Sequence, residues 1–165
     1  MIINKKRDSP SPKTLEVIGI AAVTVNGYIA RHSREKILWS KDLPLFKKQT
    51  ENCPVIMGSN TRKTLSDGLP DREMIIVNRT DDPADILRRI DQKRCFVIGG
   101  GKTYSKFSSY LTHLYLTIHP QVFKRGIRLF TKLEKEVSIS FIRLVPVVAE
   151  EGRWQAQGKV AGAEI

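Results

Sequence analysis

The feature that most constrains this chain is the alternation of short apolar segments with helix-start signals. Strand-sized apolar segments occupy residues 16–25, 54–57, 73–78, 94–98 and 113–118. The first is rich in β-branched residues and apolar almost throughout, which predicts a strand buried on both faces. Helices are predicted between these strands, over about residues 41–51, 61–65, 83–90 and 102–110, with Ser40 as N-cap of the first and Asp82-Pro83 as the start of the third. Residues 28–39 show no clean periodicity, which predicts an exposed loop. Residues 137–147 and 153–160 predict two further, antiparallel strands.

This order of elements defines the expected fold class. It predicts an α/β fold of three layers, with a mainly parallel central sheet, helices on both faces and a C-terminal antiparallel hairpin. We expect one domain over residues 15–165, preceded by a polar, basic tail at residues 1–14. No apolar run approaches the length of a membrane-spanning helix, and the N-terminus lacks the apolar core of a secretory signal. We therefore expect a cytoplasmic protein without a membrane partner.

The net charge of the chain limits the kinds of partner that we expect it to bind. Its 165 residues include 28 Lys and Arg against 17 Asp and Glu, a formal net charge of +11. This excess suits an anionic partner, either nucleic acid or a small ligand with phosphates and carboxylates. The basic residues are scattered, with no long block interleaved with aromatics, so nucleic-acid binding is not expected as the main role. Two cysteines without CxxC and three histidines without HExxH predict no metal site.

Two predicted strand-to-helix junctions carry glycine, at residues 57–61 and 98–104. Ligands of parallel sheets bind at the carboxyl ends of strands, where glycine lets phosphate oxygens approach backbone N–H groups. A simple tight turn explains either junction alone about as well. Two such junctions in one sheet favour a dinucleotide with two phosphate ends. The third glycine of the Rossmann fingerprint is missing, which argues against a standard Rossmann domain.

Three further side chains are candidates for ligand contact. Arg79 follows the third predicted strand, where a guanidinium suits a 2′-phosphate, although a solvated loop arginine is the commoner case. Asp42 lies in the first turn of the first predicted helix. It is either an acid stabilised by the helix dipole or a carboxylate that faces the ligand crevice. Phe46 shares its helix face, so the pair could clamp a flat polar ring.

At this point the sequence resembles a known family. Residues 17–130 are similar to dihydrofolate reductases and to the wider group that includes the riboflavin-pathway pyrimidine reductases. Five short segments carry the resemblance: D-L-x-x-F-K-x-x-T at 42–50, P-V-I-M-G-x-x-T at 54–61, L-P-x-R at 69–72, V-I-G-G-G-x-x-Y at 97–104 and L-Y-L-T at 114–117.

The resemblance implies NADPH-dependent reduction of 7,8-dihydrofolate to 5,6,7,8-tetrahydrofolate by a monomer or homodimer. Hydride would go to pterin C6, with protonation at N5. By the same resemblance Asp42 and Thr117 are the catalytic residues, because the acid would hold the amidine-like edge of the pterin and Thr117 would share its hydrogen bonds. The implied substrate-binding residues are Ala22, Phe46 and Leu69 around the folate pocket, and Arg72 on the glutamate carboxylate.

The resemblance also implies where NADPH binds. Asn78 and Arg79 would meet the adenosine 2′-phosphate, and Ile29 with the loop beyond it would cover the nicotinamide. The remaining implied cofactor contacts are the two glycine junctions: Gly58, Ser59, Asn60 and Thr61, and Ile98, Gly99, Gly100, Gly101, Lys102, Thr103 and Tyr104. The Gly99–Gly100 peptide is often cis in the family.

Two departures from the family pattern affect specificity. Ser59 stands where many members carry a basic residue, which leaves Arg79, with Arg62 as second candidate, to select NADP. Residues 119–130 are more similar to the pyrimidine-reductase branch, with its P-x-x-x-x-x-G-I-x-L-F. A ribosylamino-pyrimidine phosphate of riboflavin biosynthesis is therefore the alternative substrate.

Overall fold

The structure, a computed structural model, describes residues 14–65, 68–133 and 135–162. Apart from Thr14, the predicted tail lies outside the described residues, and the domain limits 15 and 165 stay predictions. The strands are β1 (Glu16–Thr24), β2 (Tyr28–Ala30), β3 (Val55–Gly58), β4 (Met74–Val77), β5 (Arg94–Gly99), β6 (His113–His119), β7 (Ile127–Arg128), β8 (Ser138–Val148) and β9 (Arg153–Ala161). The helices are α1 (Leu43–Thr50), α2 (Ser59–Thr64), α3 (Pro83–Arg88) and α4 (Gly101–Phe107), with 3₁₀ turns at Ser108–Tyr110 and Ala149–Glu151.

One seven-stranded sheet organises the described residues, in the order β4-β3-β5-β1-β6-β9-β8. The strands from β4 to β6 in this order are parallel, whereas β9 and β8 are antiparallel. The predicted mainly parallel sheet with a C-terminal hairpin is therefore confirmed. The antiparallel pair falls at the end of the chain, where a short connection replaces the crossover helix that parallel strands need.

Strand β1 lies inside the sheet and divides the core into two layers. Val17, Ala21 and Val23 contribute to one apolar cluster, while Ile18 and Ile20 contribute to the other. This alternation follows from the two-residue period of a strand. The first cluster includes Leu87 of α3 and Phe107 of α4, whereas Phe46 of α1 packs against the second. Helices thus cover both faces, as predicted.

Residues 28–39, predicted as an exposed loop, differ from that prediction at their start. Tyr28–Ala30 form β2, which pairs antiparallel with β7 in a separate two-stranded sheet. A three-residue strand is too short to show a periodic pattern, and its partner lies about a hundred residues away in sequence. Gly126 permits the pairing, because a Cβ there would lie 2.2 Å from the carbonyl oxygen of Ala30.

The start of α1 also corrects a prediction. Ser40 was the expected N-cap, but Asp42 occupies that position, with no side-chain capping hydrogen bond within the described part of the chain. Instead, the Ser40 hydroxyl donates to the Asp42 carboxylate. No helix in the described ranges has both the length and the apolar character needed to cross a bilayer.

Candidate active site

A cleft of about 830 Å³ opens at the carboxyl ends of the parallel strands. It is the place that the strand order predicts for a ligand. Most of the predicted site residues line it: Ala22, Ile29, Asp42, Phe46, Gly58, Ser59, Asn60, Thr61, Asn78, Arg79, Ile98, Gly99, Gly100, Gly101, Lys102, Thr103 and Tyr104. Leu69, Arg72 and Thr117 lie outside this lining. Topology therefore brings the two glycine junctions, the acid and the basic loop into one cleft.

The two glycine junctions pack against one another. A Cβ on Gly58 would lie 2.9 Å from Oγ1 of Thr103, and one on Gly101 would lie 2.7 Å from the carbonyl oxygen of Arg128. Gly99 has φ +129°, in the region that favours glycine. The Gly99–Gly100 peptide is cis, as the resemblance implied. These contacts leave no room for side chains, so the cleft wall there is bare backbone.

A basic corner forms at the far side of the cleft from α1. Exposed Arg79 follows β4, and Lys102 and Lys106 come from α4. The Lys106 ammonium donates to the carbonyl oxygens of Asn78, at 3.1 Å, and Arg79, at 2.9 Å, and so ties α4 to the loop. Sequence reasoning missed Lys106, although its place one helical turn after Lys102 was a usable signal. Arg62 lies outside the lining and donates to the Leu65 carbonyl oxygen.

The acid end of the cleft is built by α1 and the strands beneath it. Asp42 is only 7% exposed, and its backbone carbonyl accepts the first helical hydrogen bond, from Phe46 N–H at 2.8 Å. That bond holds Asp42 and Phe46 on the same wall of the cleft. Thr117 is opposite Ala22 in the parallel register of β1 and β6 and is fully buried. Its hydroxyl has no hydrogen-bond partner among the described residues.

Tyr104 has a structural contact as well as a place in the cleft. Its hydroxyl donates to the carbonyl oxygen of Ile20 at 2.6 Å, and the side chain is 3% exposed. Burial, with a smaller contribution from the charge on Asp42, raises the pKa of Tyr104 well above its usual range. The phenol therefore stays protonated and anchors α4 to β1.

Leu69 and Arg72 lie near the C-terminal end of α1. Leu69 is buried in the second apolar cluster. The half-buried Arg72 guanidinium donates from Nε to Thr50 Oγ1 at 2.8 Å, and from its two terminal nitrogens to the carbonyl oxygens of Pro70 and Lys47. A guanidinium has five N–H donors. These contacts leave one N–H on each terminal nitrogen, the number that a bidentate carboxylate takes.

The mouth of the cleft includes side chains that sequence reasoning did not assign. His32, Ser33, Glu35, Ile37 and Leu38 line it. Leu38 is 85% exposed. An apolar side chain left in water at the rim of a cleft is a signal of ligand contact. The Ile-Leu pair directly before Trp39 was readable from the sequence, but no periodic pattern marked it.

Fold and cleft together define a class of protein. It is an α/β protein whose cleft combines a glycine-lined wall suited to phosphate, a basic corner and, among the described residues, the buried carboxylate of Asp42. A sequence profile described as dihydrofolate reductase matches residues 16–137. The chain therefore belongs to the dihydrofolate reductase family and is an oxidoreductase.

Similar proteins agree with this membership. The chain is 26% identical over 151 residues to dihydrofolate reductase type 9 of Escherichia coli, covering 79% of this chain and 81% of that protein. It is 33% identical over 88 residues to dihydrofolate reductase of Bacillus subtilis, covering 46% of this chain and 52% of that protein.

Two solved structures share the fold. Dihydrofolate reductase from Enterococcus faecalis, complexed with NADP(H) and RAB-propyl, superposes with a TM-score of 0.72 at 20% identity, over 88% of this chain and 96% of that one. A putative riboflavin biosynthesis protein from Shewanella sp. PV-4 gives 0.61 at 18% identity, over 88% and 99%. At these identities the likeness concerns the fold alone.

Proposed function

We propose that this protein reduces 7,8-dihydrofolate to 5,6,7,8-tetrahydrofolate with NADPH, by hydride transfer to pterin C6 and protonation at N5. The observation that carries the proposal is Asp42: a buried carboxylate on the cleft wall, one helical turn from Phe46 and in the same cleft as the glycine junctions. Membership of the dihydrofolate reductase family supports the same reaction.

The residues of the cleft fit NADPH. Gly58 and Gly99 to Gly101 line the cleft without side chains, so a pyrophosphate could approach their backbone closely. Arg79 and the neighbouring lysines offer charge to a 2′-phosphate. When bound, the cofactor supplies the hydride.

The protein's own contribution is to hold and protonate the substrate. Asp42, oriented by the Ser40 hydroxyl, accepts hydrogen bonds from the amidine-like edge of the pterin. The unpartnered Thr117 hydroxyl is available to the same network. Phe46 packs against the flat ring, and a proton reaches N5 through water while the carboxylate fixes the ring.

The length of α1 favours a folate over a compact substrate. Asp42 precedes the first turn of α1, whereas Thr50, which holds Arg72, ends the helix. Eight residues at 1.5 Å each place Asp42 and Thr50, the partner of the guanidinium, about 12 Å apart along the helix axis. In dihydrofolate the p-aminobenzoyl group separates the glutamate α-carboxylate from the pteridine ring by a similar distance.

The second candidate substrate is the ribosylamino-pyrimidine phosphate, favoured by the pattern at residues 119–130. A ribose phosphate needs basic side chains at the acid end of the cleft. The lining residues nearest to Asp42 in sequence are Leu38, Ser40, Leu43 and Phe46, which are mostly apolar and include no basic side chain. That lining suits the aryl group of a folate better than a phosphate.

A spectrophotometric assay tests the proposal. NADPH absorbance is followed with dihydrofolate, and separately with the ribosylamino-pyrimidine phosphate, using the wild type and Asp42→Asn. We expect dihydrofolate-dependent loss of NADPH that the variant largely lacks. Turnover of the pyrimidine alone would move the assignment to the second candidate.

A further inference from the structure

His119, at the end of β6, is a fully buried titratable side chain that the proposed reaction does not use. Its Nε2 accepts the backbone N–H of Lys41 at 3.0 Å, and its Nδ1 lies 3.1 Å from the carbonyl oxygen of Thr117. A carbonyl oxygen only accepts, so Nδ1 must carry the proton. Nε2 is then free of a proton and able to accept. Two hydrogen bonds thus select one neutral tautomer.

These two bonds join the segments that carry the predicted catalytic residues. Lys41 directly precedes Asp42, and Thr117 is the residue whose buried hydroxyl has no partner in the described ranges. The indole of Trp39 stands edge-on to the imidazole, with ring centroids 5.3 Å apart, and packs in the same way on Phe123 at 5.4 Å. His119 is therefore the hydrogen-bonding member of a group of packed rings, with Trp39 and Phe123, next to the segment that carries Asp42.

Burial keeps His119 neutral, because it lowers the pKa of the imidazole below the ordinary value of 6.5. The hydrogen bond to the Thr117 backbone and the carboxylate of Asp42 oppose this shift, and Arg153, on β9, reinforces it. At pH 7 the ring is therefore an acceptor. An imidazolium has donors on both nitrogens and cannot accept the N–H of Lys41.

Resting on the proposed function, we propose that His119 is a positioning residue, which fixes the Asp42 carboxylate at the cleft wall by accepting the N–H of Lys41 while β6 holds its other nitrogen. A leucine would fill the volume but accept nothing. A glutamine would offer an amide oxygen in place of Nε2. The two substitutions therefore separate the hydrogen bond from the packing.

The first measurement is made by NMR on the free protein. In the wild type we expect a scalar coupling across the hydrogen bond between the Lys41 nitrogen and Nε2 of His119. The chemical shift of the Asp42 carboxyl carbon at pH 7 should change in His119→Leu and return toward the wild-type value in His119→Gln. His113→Leu, on the same strand, is the matched control and should leave that chemical shift unchanged. A protonated Nε2 in the wild type at pH 7 would overturn the proposal.

The second measurement is steady-state kinetics. A carboxylate displaced by an ångström costs up to about 10²-fold in rate. We expect kcat for dihydrofolate to fall roughly 10- to 100-fold in His119→Leu, with NADPH affinity preserved and partial recovery in His119→Gln. A wild-type kcat together with a wild-type chemical shift of the Asp42 carboxyl carbon in His119→Leu would refute the positioning role. If the wild type fails to reduce dihydrofolate at all, the proposed function fails, while the NMR measurement still decides whether His119 positions Asp42.

The third measurement, acid unfolding, tests the proposal even if the His119→Leu variant does not fold. Because the pKa of His119 is lower in the folded chain than in the unfolded one, the unfolded state binds more protons at and below pH 6.5. The free energy of unfolding should fall as the pH drops from 6.5 through the folded pKa. His119→Gln should lose this part of the slope. If the slope of unfolding free energy against pH is the same in His119→Gln as in the wild type, the neutral, hydrogen-bond-accepting form of His119 does not stabilise the folded state.

Discussion

Arg72 is the residue at which stability and substrate binding can be separated most clearly. Its guanidinium makes three hydrogen bonds to α1 and the loop before β4, at Thr50, Pro70 and Lys47. Hydrogen bonds to a charged group contribute about 1.5–3 kcal/mol each when buried, and about 1 kcal/mol each at a half-exposed site such as this. We expect Arg72→Leu to lower the free energy of unfolding by about 3 kcal/mol, measured by urea denaturation.

The same variant tests the substrate. If the two remaining N–H groups bind the α-carboxylate of dihydrofolate, Arg72→Leu should raise KM for dihydrofolate about 10- to 100-fold, with kcat comparatively preserved. Affinity for NADPH should be unchanged, because the proposed cofactor contacts, at the two glycine junctions and Arg79, do not include Arg72. Thr50→Val is the matched control: it removes one partner of the guanidinium and the hydroxyl's own bond to the Phe46 carbonyl oxygen, and so costs about 2 kcal/mol of stability. It should leave KM near wild type, because Pro70 and Lys47 still hold the guanidinium.

Two results would refute this reasoning about Arg72. Equal weakening of dihydrofolate and NADPH would show that the arginine only ties down the loop. A free energy of unfolding within error of wild type would show that the three hydrogen bonds do not form in solution.

Further variants test other parts of the molecule. Asp42→Asn should lower turnover roughly 10²-fold and most strongly at pH 8, where solution protons are scarce, so wild-type turnover at pH 8 would contradict its role. Arg79→Ala should cost about 1.5–3 kcal/mol of NADPH binding relative to NADH, seen in the ratio of kcat/KM values. Arg62→Ala should leave that ratio unchanged. Gln155→Leu breaks a reciprocal amide pair with Gln49, at 2.7 and 3.0 Å, and should cost about 2–4 kcal/mol of stability in urea. The double variant with Gln49→Leu should lose less than the sum of the two single variants.

Local patterns in the sequence were sufficient for the element order and for the side of the sheet that binds a ligand. The alternation of apolar runs with helix starts predicted β1, β3 and β5 most directly, because burial on both faces leaves a continuous apolar signature. At Asp82-Pro83 the start of α3 is confirmed in detail, since the Asp82 carboxylate accepts the N–H of Ala84. Gly58 and Gly99 were readable as cleft residues because glycine at a strand end is a backbone requirement.

Contacts between side chains far apart in sequence were decided by the tertiary structure alone. The pairing of β2 with β7, the hold of Lys106 on the loop after β4, and the bond from Lys41 to His119 each join segments that carry no mutual local signal. A residue's own sequence neighbourhood determines its backbone preference, and therefore its place in a strand or helix. Which side chain it then meets depends on strand register and helix packing, which the whole chain determines together.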